Sequence, residues 1–279
     1  MNTIHEQLRK IRDDHRIGIM THLVLGYPTL KDSVALARAM AEAGADFIEL
    51  QIPFSDPLAD GPTIMQANKI ALEGGMKVAD ALGAMRALAD ASHTLASGHP
   101  SQEGTMPPLF FMTYYNIVFH YGTEQFCRAA AASGASGLIV PDVPVDEEAH
   151  EHFWTAAEAC GLIAMRFLST VSTDERMQKV LDAPHRFLYF IGQQGTTGAR
   201  ATLHDKIARH IERIRQHEAV SIAVGFGISK PAHITVLREA GADVAIIGSA
   251  VLNAYNEAHE GEKIETVARY VRAMVEAAR

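Results

Sequence analysis

Glu49 and Asp60 are the residues of this chain best placed to move protons, and both lie in the stretch FIELQIPFSDPLADGPT at 47–63. Glu49 shares one face of a short β-pattern with Phe47 and Gln51, while Ile48, Leu50 and Ile52 share the other. Its carboxylate therefore points where a core side chain normally goes. Apolar neighbours disfavour the charged form, which suits a carboxyl that must both give and take a proton. The structural alternative is a buried acid satisfied by local hydrogen bonds or by a distant Lys or Arg. Asp60 is open between two roles, because an Asp before Gly61-Pro62 is also a routine turn former. Pro53 stops the strand, Ser55-Asp56-Pro57 and Asp60-Gly61-Pro62 turn the chain, and a helix starts near Pro62. The two carboxylates can then face one cavity at the strand's end.

Small residues elsewhere have the chemistry of an anion site. Gly225-Phe226-Gly227-Ile228-Ser229 ends one apolar run, Gly248-Ser249-Ala250 ends another at a helix start, and Gly195-Thr196-Thr197-Gly198 follows a third. Each alone reads as an ordinary glycine turn. Together, at strand ends, they point to phosphate, because exposed amides and a helix N-terminus favour negative charge. Tyr114 and Tyr189 each fit a core position as well as a site. His150 and His152 flank Glu151 at a spacing that separates their imidazoles. With no HExxH and no paired-Cys spacing, a metal site is not expected, and no GxSxG nucleophile is present.

Positioning such groups requires a regular frame, and strand-like and helix-like patterns alternate along the whole chain. Strands are expected near 18–25, 46–52, 108–114, 136–140, 162–168, 186–191, 220–225 and 243–248. Eight such units, each followed by a helical pattern, specify an α/β fold of (β/α)8 type, a TIM barrel, filling residues 1–279 as a single domain. A helix over 3–15 precedes the first strand. Extra helices follow the second strand (62–73 and 77–93) and the eighth (249–259 and 262–278), the last covering an end or a side of the barrel. The polar segment SGHPSQEGTMPP at 97–108 reads as an exposed loop. Ala-Gly-Ala-Asp occurs at 43–46 and again at 240–243, with looser versions at 133–136 and 159–161; each places Gly where a helix end needs a left-handed backbone. A doubly wound sheet is the competing architecture, disfavoured because no GxGxxG follows the first strand.

Composition narrows the partners. The chain has 279 residues, 48% of them hydrophobic, and a formal charge of −8. That charge provides no basic surface for a nucleic-acid backbone. No window has the run of about 18 apolar residues that spans a bilayer, and the N-terminus lacks a signal-type apolar segment, so a cytoplasmic protein without membrane contact is expected. Cys127 and Cys160 lie in Ala-rich helical patterns and read as two buried thiols.

The stretch IPFSDPLADGPTI at 52–64, preceded by Glu49, resembles the alpha subunit of tryptophan synthase. The resemblance covers nearly the whole chain. It includes LGYP at 25–28, Tyr114-x-Asn116-x-Val118-Phe119, Pro141-Asp142-Val143-Pro144, Thr197-Gly198, and the Gly225 and Gly248 loops. It implies a carbon–carbon lyase of tryptophan biosynthesis that splits indole-3-glycerol phosphate into indole and glyceraldehyde 3-phosphate, without a cofactor. Glu49 would protonate the indole ring carbon and help remove the glycerol hydroxyl proton, and Asp60 would accept the indole N–H. Tyr189 would match the active-site tyrosine of the sixth strand. Thr197, Gly198, Gly227, Gly248, Ser249 and Tyr114 would bind the phosphorylated substrate. A pyridoxal-phosphate beta subunit is the implied partner, with Pro53 and Asp56 as contacts. Departures cluster near the substrate: Gln51 replaces a usual glycine, His22 stands where an apolar aromatic usually touches indole, and Tyr27 and the 192–197 loop differ. They keep two alternatives open, a different phosphorylated substrate and a non-catalytic regulatory subunit.

Overall fold

A computed structural model describes residues 3–94, 106–182, 187–192, 200–217, 220–225 and 227–279. Its strands are β1 (Gly18–Val24), β2 (Phe47–Gln51), β3 (Leu109–Met112), β4 (Gly137–Ile139), β5 (Ile163–Ala164), β6 (Arg166–Ser169), β7 (Phe187–Ile191), β8 (Ser221–Gly225) and β9 (Val244–Ile247). All pairs are parallel, in the order β5-β4-β3-β2-β1-β9-β8-β7-β6. The two ends of that order, β5 and β6, are separated in the chain by Met165 alone, so the sheet curls into a (β/α)8 barrel. The expected fifth strand at 162–168 is thus two short strands. Its first half pairs with β4, where the Met165 amide still donates to Leu138 O at 2.9 Å, and its second half pairs with β7.

Helices lie outside the ring: α1 (Thr3–Asp13), α2 (Leu30–Glu42), α3 (Pro62–Glu73), α4 (Val78–Thr94), α5 (Tyr115–Tyr121), α6 (Thr123–Ala132), α7 (Glu148–Glu151), α8 (Phe153–Ala159), α9 (Asp174–Leu181), α10 (Arg200–His217), α11 (Pro231–Glu239), α12 (Ser249–Glu257) and α13 (Lys263–Ala277). Local chemistry sets several starts. Thr29 caps α2 by accepting from the Asp32 amide, Thr173 caps α9 by accepting from Arg176, and Pro62 opens α3. The chain at His150–His152 does not run on as one helix. His152 sits between α7 and α8 with φ +50° and separates them. Among the described helices none is long and apolar enough to cross a membrane.

Strand alternation divides the core into two layers. Ile48, Leu50 and Ile52 pack outward beneath the helices, while Met20, Phe47, Phe110, Phe187 and Val244 fill the barrel. The Phe47, Phe110 and Phe187 rings meet at centroid separations of 5.7–6.2 Å. Helix α1 closes this end with Ile4, Leu8 and Ile11, which its period places on one face. Helix α13 lies along the side, against α2 and α12. Cys127 is buried on α6 as expected, but Cys160 ends α8 and is only partly buried.

The repeated Ala-Gly-Ala-Asp does one job twice. Gly44 (φ +95°) and Gly241 (φ +86°) end α2 and α11 in the left-handed conformation. The Asp that follows then latches the neighbouring strand. Asp46 accepts from the Ile19 amide at 2.9 Å and from Arg16 at 2.7 Å; Asp243 accepts from the Ile222 amide at 2.7 Å and from Arg215 at 2.9 Å. These latches sit at the N-terminal ends of the strands, opposite the loops that carry the candidate site.

Candidate active site

Phe47, Glu49 and Gln51 point into the barrel from β2. Glu49 is 2% exposed, and its neighbour across the β1–β2 ladder is His22. His22 Nδ1 stands 3.2 Å from Glu49 Oε1. Burial alone would lower the His22 pKa; the Glu49 charge and hydrogen bond, with smaller help from Asp60 and Gln51, outweigh it and raise the net value.

The loop after β2 is folded back over the strand end by three fastenings. Ile52 donates its amide to Met112 O on β3 at 2.9 Å. Phe54 donates to Asn68 Oδ1 at 2.9 Å, and Asn68 is itself held by Ile64 O on α3. The Ala59 amide donates to the Tyr114 hydroxyl at 3.0 Å, and the Tyr114 ring stacks on Phe54 with centroids 5.3 Å apart. Asp60 follows in a turn closed by its own amide on Pro57 O, and Gln51 Nε2 donates to Asp60 Oδ2 at 2.7 Å. Burial raises the Asp60 pKa; His22, Gln51 and Tyr114 oppose that rise without cancelling it, and the Glu49 charge adds to it. Gln51 and Tyr114 thus stand behind Asp60 and the loop, while His22, Glu49 and Asp60 line the cavity itself.

That cavity is about 360 Å³ and opens at the C-terminal ends of the strands. His22, Glu49 and Asp60 share its lining with Gly225, Gly227, Gly248 and Ser249, and Met112, Ile139, Phe167 and Ile246 add apolar surface. Tyr189 enters from β7, packed on Phe167 at 5.1 Å. Its pKa is raised far above the ordinary value by burial first, then by the Glu49 and Asp60 charges, so the phenol stays protonated and is available as a hydrogen-bond donor. Gly225 leaves room for Tyr189: a Cβ at that position would meet its ring and hydroxyl at 3.1 Å. Gly227 adopts φ +65°, and Gly248-Ser249 opens α12, so small residues and a helix N-terminus meet on one side of the cavity. Thr197 and Gly198 lie outside the described residues.

A larger concavity, about 1170 Å³, lies at the opposite end and is bordered by Arg16 and Asp46. Those side chains are already committed to the latch, and active sites of this architecture lie at the C-terminal face, so the smaller cavity is the candidate site. Sequence reasoning missed Phe167, Ile139 and Asn68. Phe167 and Ile139 were readable as inward positions of their strands. Asn68 was detectable as a polar residue on the Ala67–Ala71 face of a helix.

Fold and site together define a class: a (β/α)8 barrel enzyme whose cavity at the C-terminal face holds paired acids and small glycine-loop residues. The family model for the tryptophan synthase alpha chain matches residues 8–279. Relatives of that description include those of Chloroflexus aggregans, 35% identical over 99% of this chain and 98% of its own length, and Methanosarcina mazei, 37% identical over 98% and 95%. Among solved structures, Mycobacterium tuberculosis tryptophan synthase aligns with a TM-score of 0.83 at 30% identity, covering 98% of this chain and 97% of that one. The tryptophan synthase subunit alpha of Legionella pneumophila aligns at 0.84 and 26% identity, covering 100% and 98%. The chain belongs to the tryptophan synthase alpha chain family. It is a carbon–carbon lyase that cleaves indole-3-glycerol phosphate in tryptophan biosynthesis.

Proposed function

We propose that Glu49, Asp60 and Tyr189 carry this retro-aldol cleavage to indole and glyceraldehyde 3-phosphate, in a single barrel domain of residues 1–279 working in the cytoplasm. The observation that carries the reading is the shared cavity, lined by Glu49 and Asp60 together with Gly227, Gly248 and Ser249. The apolar surface of the cavity suits a flat ring. The phosphate goes to the glycine loops, where backbone amides and the start of α12 attract an anion; Thr197 and Gly198 are the further phosphate contacts we assign. Asp60 accepts the indole N–H and stabilises the positive charge that protonation creates on the ring. Glu49 gives a proton to the ring carbon and takes one from the glycerol hydroxyl; the bond from that ring carbon to the hydroxyl-bearing carbon breaks, its electrons restoring the ring while the O–H electrons form the aldehyde carbonyl. Tyr189, held neutral, donates a hydrogen bond within the cavity. Tyr114 and Gln51 serve substrate binding indirectly, by keeping the Asp60 loop in place.

A pyridoxal-phosphate beta subunit is the partner. Supporting it, apolar side chains stand exposed around the loop after β2 and on α3 and α5: Leu58 is 93% exposed, and Met65, Leu72 and Phe119 join it. Grooves between them are lined by Pro53, Phe54 and Pro57. The test is release of indole from indole-3-glycerol phosphate by the purified chain, alone and with the beta subunit. Cleavage accelerated by the partner is expected; tight calorimetric binding without indole release under either condition would contradict the lyase assignment.

A further inference from the structure

A buried imidazole stands against Glu49, and the reaction as written does not use it. His22 is 4% exposed, lines the cavity and keeps its Nδ1 3.2 Å from Glu49 Oε1. The sheet builds this contact, because the β1–β2 register sets His22 opposite Glu49 and both side chains face inward. Among the described residues, His22 Nε2 and Glu49 Oε2 are buried without a hydrogen-bond partner. Each member of the pair therefore commits one polar atom to the other and keeps one for a substrate.

A lone carboxylate at neutral pH can accept a proton but has none to give. An imidazole–carboxylate pair that retains a single proton can do both. We propose that His22 and Glu49 form one acid–base unit, in which His22 is the positioning residue that fixes Glu49 Oε1 and keeps on the pair the proton that Glu49 exchanges with substrate. This rests on the lyase reading above.

The proton balance closes within one turnover. The pair's proton passes through Glu49 to the indole ring carbon. The bond from that carbon to the glycerol chain then breaks, and its electrons restore the aromatic ring. The hydroxyl O–H electrons form the new carbonyl, and the hydroxyl proton returns to the pair.

The surroundings favour a retained proton. The charged groups facing His22 are Glu49 on β2 and Asp60 in the loop after it, with the neutral Gln51 amide beside them. Tyr189 from β7 is a neutral phenol. On the β9 side the neighbours are Ile246 and Gly248, which bring no charge. The net rise in the His22 pKa agrees with this balance.

Indole release measured from about pH 5 to about pH 10 tests the unit in three proteins: wild type, His22→Phe and His22→Gln. His22→Phe is expected to lower kcat about tenfold or more above neutral pH and to move the alkaline limb down by about one unit or more. His22→Gln can still donate to Glu49 but cannot titrate, so it should keep KM near the wild-type value without restoring the alkaline limb. If the wild type cleaves and His22→Phe keeps both kcat and the alkaline limb, the inference is overturned while the lyase reading stands. If the wild type releases no indole, the lyase reading falls, and NMR of histidine-labelled protein decides the pair on its own. The His22 signal, identified by its loss in His22→Phe, should titrate about one unit or more lower in Glu49→Gln. An unchanged titration would overturn the pair.

Discussion

Gln51 donates its side-chain amide to Asp60, Nε2 to Oδ2 at 2.7 Å, from two positions beyond Glu49 on the same inward face of β2. The strand thus supplies one acid directly and controls the other through a hydrogen bond to the returning loop. Gln51 is one of the groups that hold down an Asp60 pKa which burial has raised. Gln51→Gly removes that restraint, so Asp60 protonates at higher pH and loses its acceptor form sooner as pH falls. The acid limb of kcat/KM should move up by about half a unit to one unit. A pH–rate profile checks this; an unmoved acid limb would separate Gln51 from Asp60.

Tyr189 and Gly225 touch across the β7–β8 ladder. Gly225→Ala introduces a methyl 3.1 Å from the phenol, and the ring must yield. A displacement of a few tenths of an ångström in a positioned group should lower kcat/KM about tenfold. The thermal midpoint should move little, since the added methyl faces a cavity rather than a filled core. Steady-state kinetics beside a thermal melt distinguish this from simple destabilisation.

The two aspartate latches differ in burial and should differ in worth. Asp46 is 4% exposed and holds Arg16, Gln7 and the Ile19 amide, whereas Asp243 and Arg215 are more open to water. Asp46→Ala leaves a largely buried guanidinium with only the half-exposed Asp14 as its carboxylate partner and the Ile19 amide unsatisfied, and should cost about 3 kcal/mol. Asp243→Ala should cost about 1–2 kcal/mol, mainly through the unsatisfied Ile222 amide. Urea unfolding of both variants checks the order, and the indole-forming activity of the folded fractions should be unaffected.

His22 also ties stability to pH. Its folded pKa lies above the ordinary value near 6.5, so the folded state holds the proton more tightly than the unfolded chain. The resulting stabilisation is fully present below the unfolded pKa and is lost as pH rises through the folded one. Urea midpoints should fall across that window in the wild type, and His22→Phe should flatten this part of the curve.

Much of this arrangement could be read from residue order. The alternation at 47–52 separates inward Glu49 from outward Leu50 because a strand's side chains have a period of two. The glycine joints at 44 and 241 are legible because few residues other than Gly tolerate that backbone. Pairing was not legible. The run at 162–168 carries no mark of where it leaves β4 for β7, since the change occurs in its partners and not in its own pattern. His22 reads as an odd residue on a strand until the β1–β2 register sets it against Glu49. The bond from Gln51 to Asp60 and the hold of Tyr114 on Ala59 depend on how the loop folds back, which local propensity does not encode.

The central claim is that Glu49 exchanges the protons of carbon–carbon cleavage, and indole release by Glu49→Gln in complex with the beta subunit tests it most directly. The variant keeps the side chain's size, so substrate binding should stay within a few-fold of wild type. Its kcat should fall by about a hundredfold or more. A variant that binds normally and still releases indole at the wild-type rate would contradict the account.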